Sequence, residues 1–237
     1  MSWRRLLLAI FSASAVVGAI AWLPARVASP LLPHGIDCAA LTGTVWRGRC
    51  AGSSIRSSRS GSVSWALGVS IDRPAGIALR WQWIKDRSDA RGVWAGIGRG
   101  TSALRIDHLS IDLQTLRDAF PTDVLIGPLA ALSGRVEGSE LTLAFESGRV
   151  SALHGGLTVS RASWLQTGAA IGPFTAQFDG RTGVLRDVGG PLDVRATLAL
   201  AEPGRFTAKV RLETRTPNVV PSLVPGFPLE AEIEGQF

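Results

Sequence analysis

Three histidines, His34, His108 and His154, and two cysteines, Cys38 and Cys50, are the side chains best suited to ligate a metal or move a proton at neutral pH. The histidines stand far apart and share no motif, so each reads as a solvated or hydrogen-bonded surface residue. A zinc site needs three or four ligands, and only His34 lies near the cysteines, so no metal is expected. The stretch Gly43-Thr44-Val45-Trp46-Arg47-Gly48 has the glycine spacing of a phosphate loop. It fails as one because Arg49 and Cys50 stand where Lys and Ser/Thr are required, and no alternating βαβ pattern surrounds it. No G-x-S-x-G, H-E-x-x-H, C-x-x-C or G-x-G-x-x-G occurs, and the carboxylates are scattered without an adjacent pair. A triad assembled only in space leaves no trace in spacing. The expectation is a protein that is not an enzyme and takes no cofactor.

The cysteines carry a different chemistry. Eleven residues separate Cys38 from Cys50, and both lie beyond an N-terminal apolar run. In an oxidising compartment two nearby exported cysteines are more often bonded than free. In the chain-entropy model a loop of about fifteen residues gains ~3 kcal/mol from such a bond.

That apolar run decides the compartment. Trp3-Arg4-Arg5 precedes eighteen residues, Leu6 to Leu23, without a charge. As a helix they would rise about 27 Å at ~1.5 Å per residue, close to the roughly 30 Å hydrocarbon core of a bilayer. Arg4 and Arg5 hold the N-terminus in the cytoplasm, and Trp22 sits at an interfacial anchor position. The alternative is a cleaved signal peptide, whose apolar region is shorter, about 7–15 residues. Ala19-Ile20-Ala21 is a loose cleavage site, but Trp22 and Pro24 behind it do not suit cleavage. The retained anchor is the favoured reading, and both readings export the body. The expected layout is a cytoplasmic tail (1–5), a transmembrane anchor (6–23), an irregular exit segment (24–40) rich in proline, and a periplasmic β domain (41–237).

The body reads as strands. Leu41 to Gly48 is expected as a short strand bracketed by glycines. Val63, Trp65, Leu67 and Val69 alternate with small or polar residues. After the turn signal Asp72–Gly76, Ile77, Leu79, Trp81 and Trp83 alternate again, so the two runs predict an antiparallel hairpin. Its apolar face carries Trp65, Trp81 and Trp83, which line either a core or an apolar groove. Leu109-Ile111-Leu113 is out of phase with Leu104 and Ile106, which predicts a bulge near His108. Leu113, Leu116 and Phe120 switch to helical spacing, so 115–120 is expected as a short helix. The β pattern resumes at Leu132 and runs through Leu141–Phe145, Leu157–Val159 and Phe174–Phe178. A second long hairpin pairs Leu192–Leu200 with Phe206–Leu212, Pro217–Pro228 is an irregular connector, and Leu229–Glu234 is apolar on one face and acidic on the other. The fold class is mainly β. A single transmembrane helix leads into a meandering antiparallel sheet of about ten to twelve strands, with one or two short helices. A sheet this long curls into a half-pipe or folds over as a sandwich.

Composition agrees. Charged residues are 19%, hydrophobic ones 46%, and the 237 residues include 27 Gly and 13 Pro. That is globular, turn-rich and neither disordered nor coiled coil. Net charge is +6, almost all of it Arg over Lys, spread without a block of five. The spread favours solvated strand faces over a nucleic-acid surface, so no nucleic-acid partner is expected.

The order of features resembles type II secretion system protein N. The residues that carry the likeness are Leu23-Pro24-Ala25 after the apolar run, then Gly43, Thr44, Val45, Trp46 and Gly48, then the Val63-x-Trp65-x-Leu67 strand. Gly156-Leu157, Trp164 and Gly172 are similar to the family's second half. The likeness spans most of the chain and is strongest in its first 85 residues. It implies a non-enzymatic inner-membrane component of the general secretion pathway, bitopic, with its body in the periplasm. The family is thought to link the inner-membrane platform proteins L and M, and in some systems the outer-membrane secretin. A competing reading is a lipid carrier of the AsmA-like kind, with the three tryptophans lining an open groove. An open apolar trough would favour lipid; a filled interior would favour a scaffold.

Overall fold

The computed structural model describes residues 18, 21–27, 36–55, 58–71, 76–97, 100–115, 132–164, 168, 170–202, 205–215 and 229–236. Within these, thirteen strands form one antiparallel sheet in which spatial order equals chain order. They are β1 (Ile36–Gly43), β2 (Arg47–Ile55), β3 (Ser58–Ser70), β4 (Gly76–Lys85), β5 (Ser88–Ile97), β6 (Thr101–Asp112) and β7 (Leu132–Glu146). Then come β8 (Arg149–Trp164), β9 (Ala170–Asp179), β10 (Thr182–Asp187), β11 (Leu192–Glu202), β12 (Arg205–Thr214) and β13 (Leu229–Gln236). Each interior strand is bonded to its predecessor and its successor, and among the described residues β1 and β13 are open edges. The described strands form one continuous open antiparallel sheet.

The alternating runs pair as their period requires. Val63 faces Trp83, Trp65 faces Trp81, Leu67 faces Leu79 and Val69 faces Ile77. In the second long hairpin, Val194 pairs with Leu212, Leu198 with Ala208 and Leu200 with Phe206. The phase slip in β6 is a real bulge: Arg91 pairs with His108 and Gly92 with Ile106, leaving Asp107 as the extra residue.

Several expectations change. Leu41 to Gly48 is not one strand. β1 starts at Ile36, inside the expected exit segment, and ends at Gly43; a turn follows, and β2 starts at Arg47. Helical backbone covers Leu113–Thr115, and the rest of the helix expected over 115–120 lies outside the described residues. So do residues 1–17 and the proline connector. No helix among the described residues is long and apolar enough to cross a membrane.

The buried core is small and off-centre. Ala162, Ile171, Phe174, Leu192 and Val194 form it, with Leu132, Val159, Trp164 and Leu185 packed against it. It gathers side chains from β7 to β11. The short β10 lets the sheet bend there, so that its non-adjacent neighbours meet. In β1–β6, by contrast, the buried apolar residues are small: Cys50, Ala78 and Ala90. No second layer covers the apolar face of that half among the described residues.

An ion pair closes the bend. Arg215, just past β12, meets the carboxylate of Asp187 twice, Nη1 to Oδ2 at 2.7 Å and Nη2 to Oδ1 at 3.1 Å. The Gly189 N–H donates to Asp187 Oδ2 at 3.1 Å. The Asp187 side chain is only 4% exposed. Burial pushes its pKa up, but the Gly189 N–H and the Arg215 guanidinium outweigh burial and hold it below the ordinary value. A carboxylate with a lowered folded pKa stabilises fully above its unfolded value, and loses that contribution as pH falls through the folded one. Asp187→Asn is therefore expected to lower stability by about 1–3 kcal/mol at neutral pH. It should also make the loss of stability below roughly pH 4 shallower. Denaturant unfolding of wild type and variant across the acid range checks both.

Candidate functional site

The residues with the most specific spacing converge on the turn between β1 and β2. Gly43 takes a φ of +90°, open to glycine and strained for other residues. Thr44 closes the turn. Its N–H donates to the Arg47 carbonyl at 2.9 Å, and its Oγ1 accepts the Arg47 N–H at 3.1 Å. This side-chain bond is why the chain reverses here instead of extending through Leu41–Gly48.

β3 then locks the turn from below. Trp65 Nε1 donates to the Val45 carbonyl at 3.0 Å. The Trp65 ring packs against Gly48, where an added Cβ would sit 2.4 Å from ring atom Cζ2 and 2.9 Å from the Thr42 carbonyl oxygen. Only a residue without Cβ lets the indole come this close. The Leu67 N–H adds a bond to the Trp46 carbonyl at 2.6 Å. Gly43, Thr44, Val45, Gly48 and Trp65 are thus parts of one clamp, while Trp46 stands 43% exposed.

A third segment enters the clamp. The Val45 N–H donates to the Leu23 carbonyl at 2.9 Å, Pro24 bridges Thr44, and the Val27 N–H closes a turn on the Pro24 carbonyl at 3.0 Å. Ala25 is 1% exposed. The first residues of the expected irregular exit segment are therefore docked on the sheet. Their sequence held a signal, Leu23-Pro24-Ala25 beside the glycine motif, but nothing in it named Val45 as the partner.

The other candidate residues fall elsewhere. Cys38 and Cys50 are disulfide-bonded, with Cα atoms 5.6 Å apart, and tie β1 to β2. Trp65, Trp81 and Trp83 share the apolar face of β3 and β4, all half-buried, and Trp81 Nε1 has no hydrogen-bond partner among the described residues. His108 Nε2 lies 3.2 Å from Asp89 Oδ2 on the surface. His154 Nδ1 accepts the Gly180 N–H at 3.2 Å. His34 is outside the described residues. Among the described residues no three metal-ligating side chains come together.

Sequence reading missed a row of arginines on the opposite face of β2–β6. Arg47, Ala66, Arg80, Val93 and Arg105 are in register across five strands. The small residues between the cations open a cavity of about 480 Å³, which Ser64, Gln82 and Arg91 also line. Alternation within each strand placed these arginines on one face, but only the register put them in one row.

Two substitutions test the clamp. Trp65→Phe keeps the ring and removes the donor, leaving the Val45 carbonyl without it, and should cost about 1 kcal/mol. Gly48→Ala forces the indole off the turn and should cost more, about 1–3 kcal/mol. Denaturant midpoints give the order, and equal or negligible effects would reject the clamp as a stabilising unit.

Comparison with known proteins bears on this geometry. No curated protein and no solved structure matches the chain. A family model described as type II secretion system (T2SS), protein N matches residues 34–224, a span that holds the β1–β2 turn, Trp65 and the strands up to β12. The chain therefore belongs to the type II secretion system protein N family.

Proposed function

We propose that this type II secretion component is a non-enzymatic, single-pass inner-membrane protein whose sheet lies in the periplasm and links or stabilises the inner-membrane platform and the secretin. The family match carries the pathway. The uncharged Leu6–Leu23 run behind Arg4 and Arg5 supports the anchor and its direction. The Cys38–Cys50 bond supports an oxidising compartment. The Leu23–Val45 hydrogen bond supports a mechanical role, because it joins the end of the anchor to the sheet without a slack linker.

Docking has an obvious route. Among the described residues β13 is an open edge, so its outward N–H and C=O groups accept an added strand from a partner. Its acidic side chains already face cations on β12, Glu232 to Lys209 at 3.4 Å and Glu230 to Arg211 at 3.6 Å. Exposed charge along this edge discourages promiscuous pairing and leaves selection to the partner's own pattern. The partners on this reading are the platform proteins L and M and, in some systems, the secretin.

A second reading keeps a specific observation. The apolar face of β3 and β4 is half-buried, with Trp65, Trp81 and Trp83 in one patch and the Trp81 indole N–H unmatched. Such a face suits an apolar chain, as in an AsmA-like lipid carrier.

Photo-crosslinking from β13 in cells that carry the secretion system separates the two. Recovery of platform protein or secretin supports the scaffold; recovery of lipid alone, with labels on the tryptophan face, supports the carrier. If neither platform protein nor secretin is captured from any strand, the linking role fails.

A further inference from the structure

We propose that the end of the sheet formed by the β1–β2 turn and the β3–β4 hairpin rests on the bilayer, and that the adjoining arginine cavity receives the headgroup of an anionic phospholipid. The proposal rests on the membrane-anchored reading above.

Exposed apolar side chains concentrate at this end. Ile71 is 91% exposed, Val69 82%, Val27 55%, Ile77 53% and Trp46 43%, with Trp22 at 81% beside them. Register puts them together: Arg47 pairs with Ala66, so the last residues of β3 project past the β1–β2 turn, and Val69 pairs with Ile77. A solvated rim of this kind is costly in water and favourable at a lipid interface, where Trp and aliphatic side chains settle. The occupant follows from the chain itself. Leu23, the last residue of the uncharged run, is hydrogen-bonded to Val45 in the same turn, so the apolar run ends at this rim.

The charge lies just behind. From Ala66, in the arginine row, to Val69 in the rim is three residues, about 10 Å of strand. A second cavity, of about 200 Å³, joins the two, since Val69 and Ile71 line it together with Arg80 and Arg105. Arg47, Arg80 and Arg91 have no carboxylate within ion-pair distance among the described residues, whereas Arg105 is held by Asp107 at 2.8 Å. Neighbouring arginines of one row are two strands, roughly 10 Å, apart, so a phosphate between them meets more than one guanidinium. An apolar lip with a cationic floor matches the order of a phospholipid leaflet, acyl chains first and phosphate next.

The test uses the full chain in vesicles of phosphatidylcholine alone, or with phosphatidylglycerol. Because Cys38 and Cys50 are bonded to each other, a single added cysteine is the only free thiol. An environment-sensitive fluorophore is placed at Ile71→Cys, at Ile84→Cys on the far end of β4, or at Ala9→Cys within the apolar run. Quenching by lipids carrying a nitroxide near the headgroup reports contact. The expected result is quenching at position 71 but not 84, stronger with phosphatidylglycerol. Arg80→Gln and Arg91→Gln should each lower the docked-to-undocked ratio about fivefold, with the unfolding transition unchanged. Quenching at 9 but not at 71 leaves the anchor standing and overturns this proposal. Quenching at 71 that ignores both phosphatidylglycerol and the arginine variants overturns the headgroup site. Loss of lipid contact at position 9 overturns the anchored reading itself.

Discussion

Among the described residues, each interior strand of this protein pairs with the strands before and after it in the chain. A long sheet built this way needs no distant pairing to form, and its ladder, rather than a large core, holds most of it together. Among the described residues, the consequence is two edge strands with one partner each and, over β1–β6, an apolar face that no other layer covers. The tryptophans and leucines of β3 and β4 stay half-buried, and the larger buried apolar side chains gather mostly at the bend around β10. The structure thus leaves much of its surface available for contact, as befits a component of a larger assembly.

The bend and the clamp stiffen this sheet by different physics. At the bend, apolar side chains from β8, β9 and β11 meet over a short strand, and the Asp187–Arg215 pair closes the outside. At the clamp, the gain comes from close approach. A ring rests on a glycine, its N–H takes a turn carbonyl, and the same turn takes the chain arriving from the N-terminal segment. The clamp gives a motif of glycines, a threonine and tryptophans a structural role. Its residues are suited to making a turn and covering it. The motif joins the sheet to the Leu23–Val27 segment.

The two faces of β2–β6 differ in kind. Tryptophan and leucine line one, and a row of arginines spaced by alanine and valine lines the other. Strand alternation alone creates this division, and the common register turns it into a patch on each face. The protein therefore offers an apolar surface, a cationic surface and a free edge, each on a different part of the same sheet.

Much of this was legible beforehand. Period two in Val63–Val69 and Ile77–Trp83 determined both strands, their pairing and their shared face, because one slip of register would turn every apolar side chain over. The phase change around His108 determined the bulge, and the spacing of Gly43, Thr44 and Trp46 carried the family likeness. β2 and β10 were not legible, since Gly-, Ser- and Arg-rich strands show little hydropathic period and are stabilised by their neighbours. Leu41–Gly48 misled because its apolar residues flank a reversal that Thr44 makes through its own side chain. Tertiary structure alone decided three things: that Arg47, Arg80 and Arg105 share one row, that Trp65 covers Gly48, and that Leu23 bonds Val45. The reason is common to all three. Sequence periodicity specifies which face a side chain takes, whereas contacts between residues well apart in the chain depend on where the paired strands finally bring those faces.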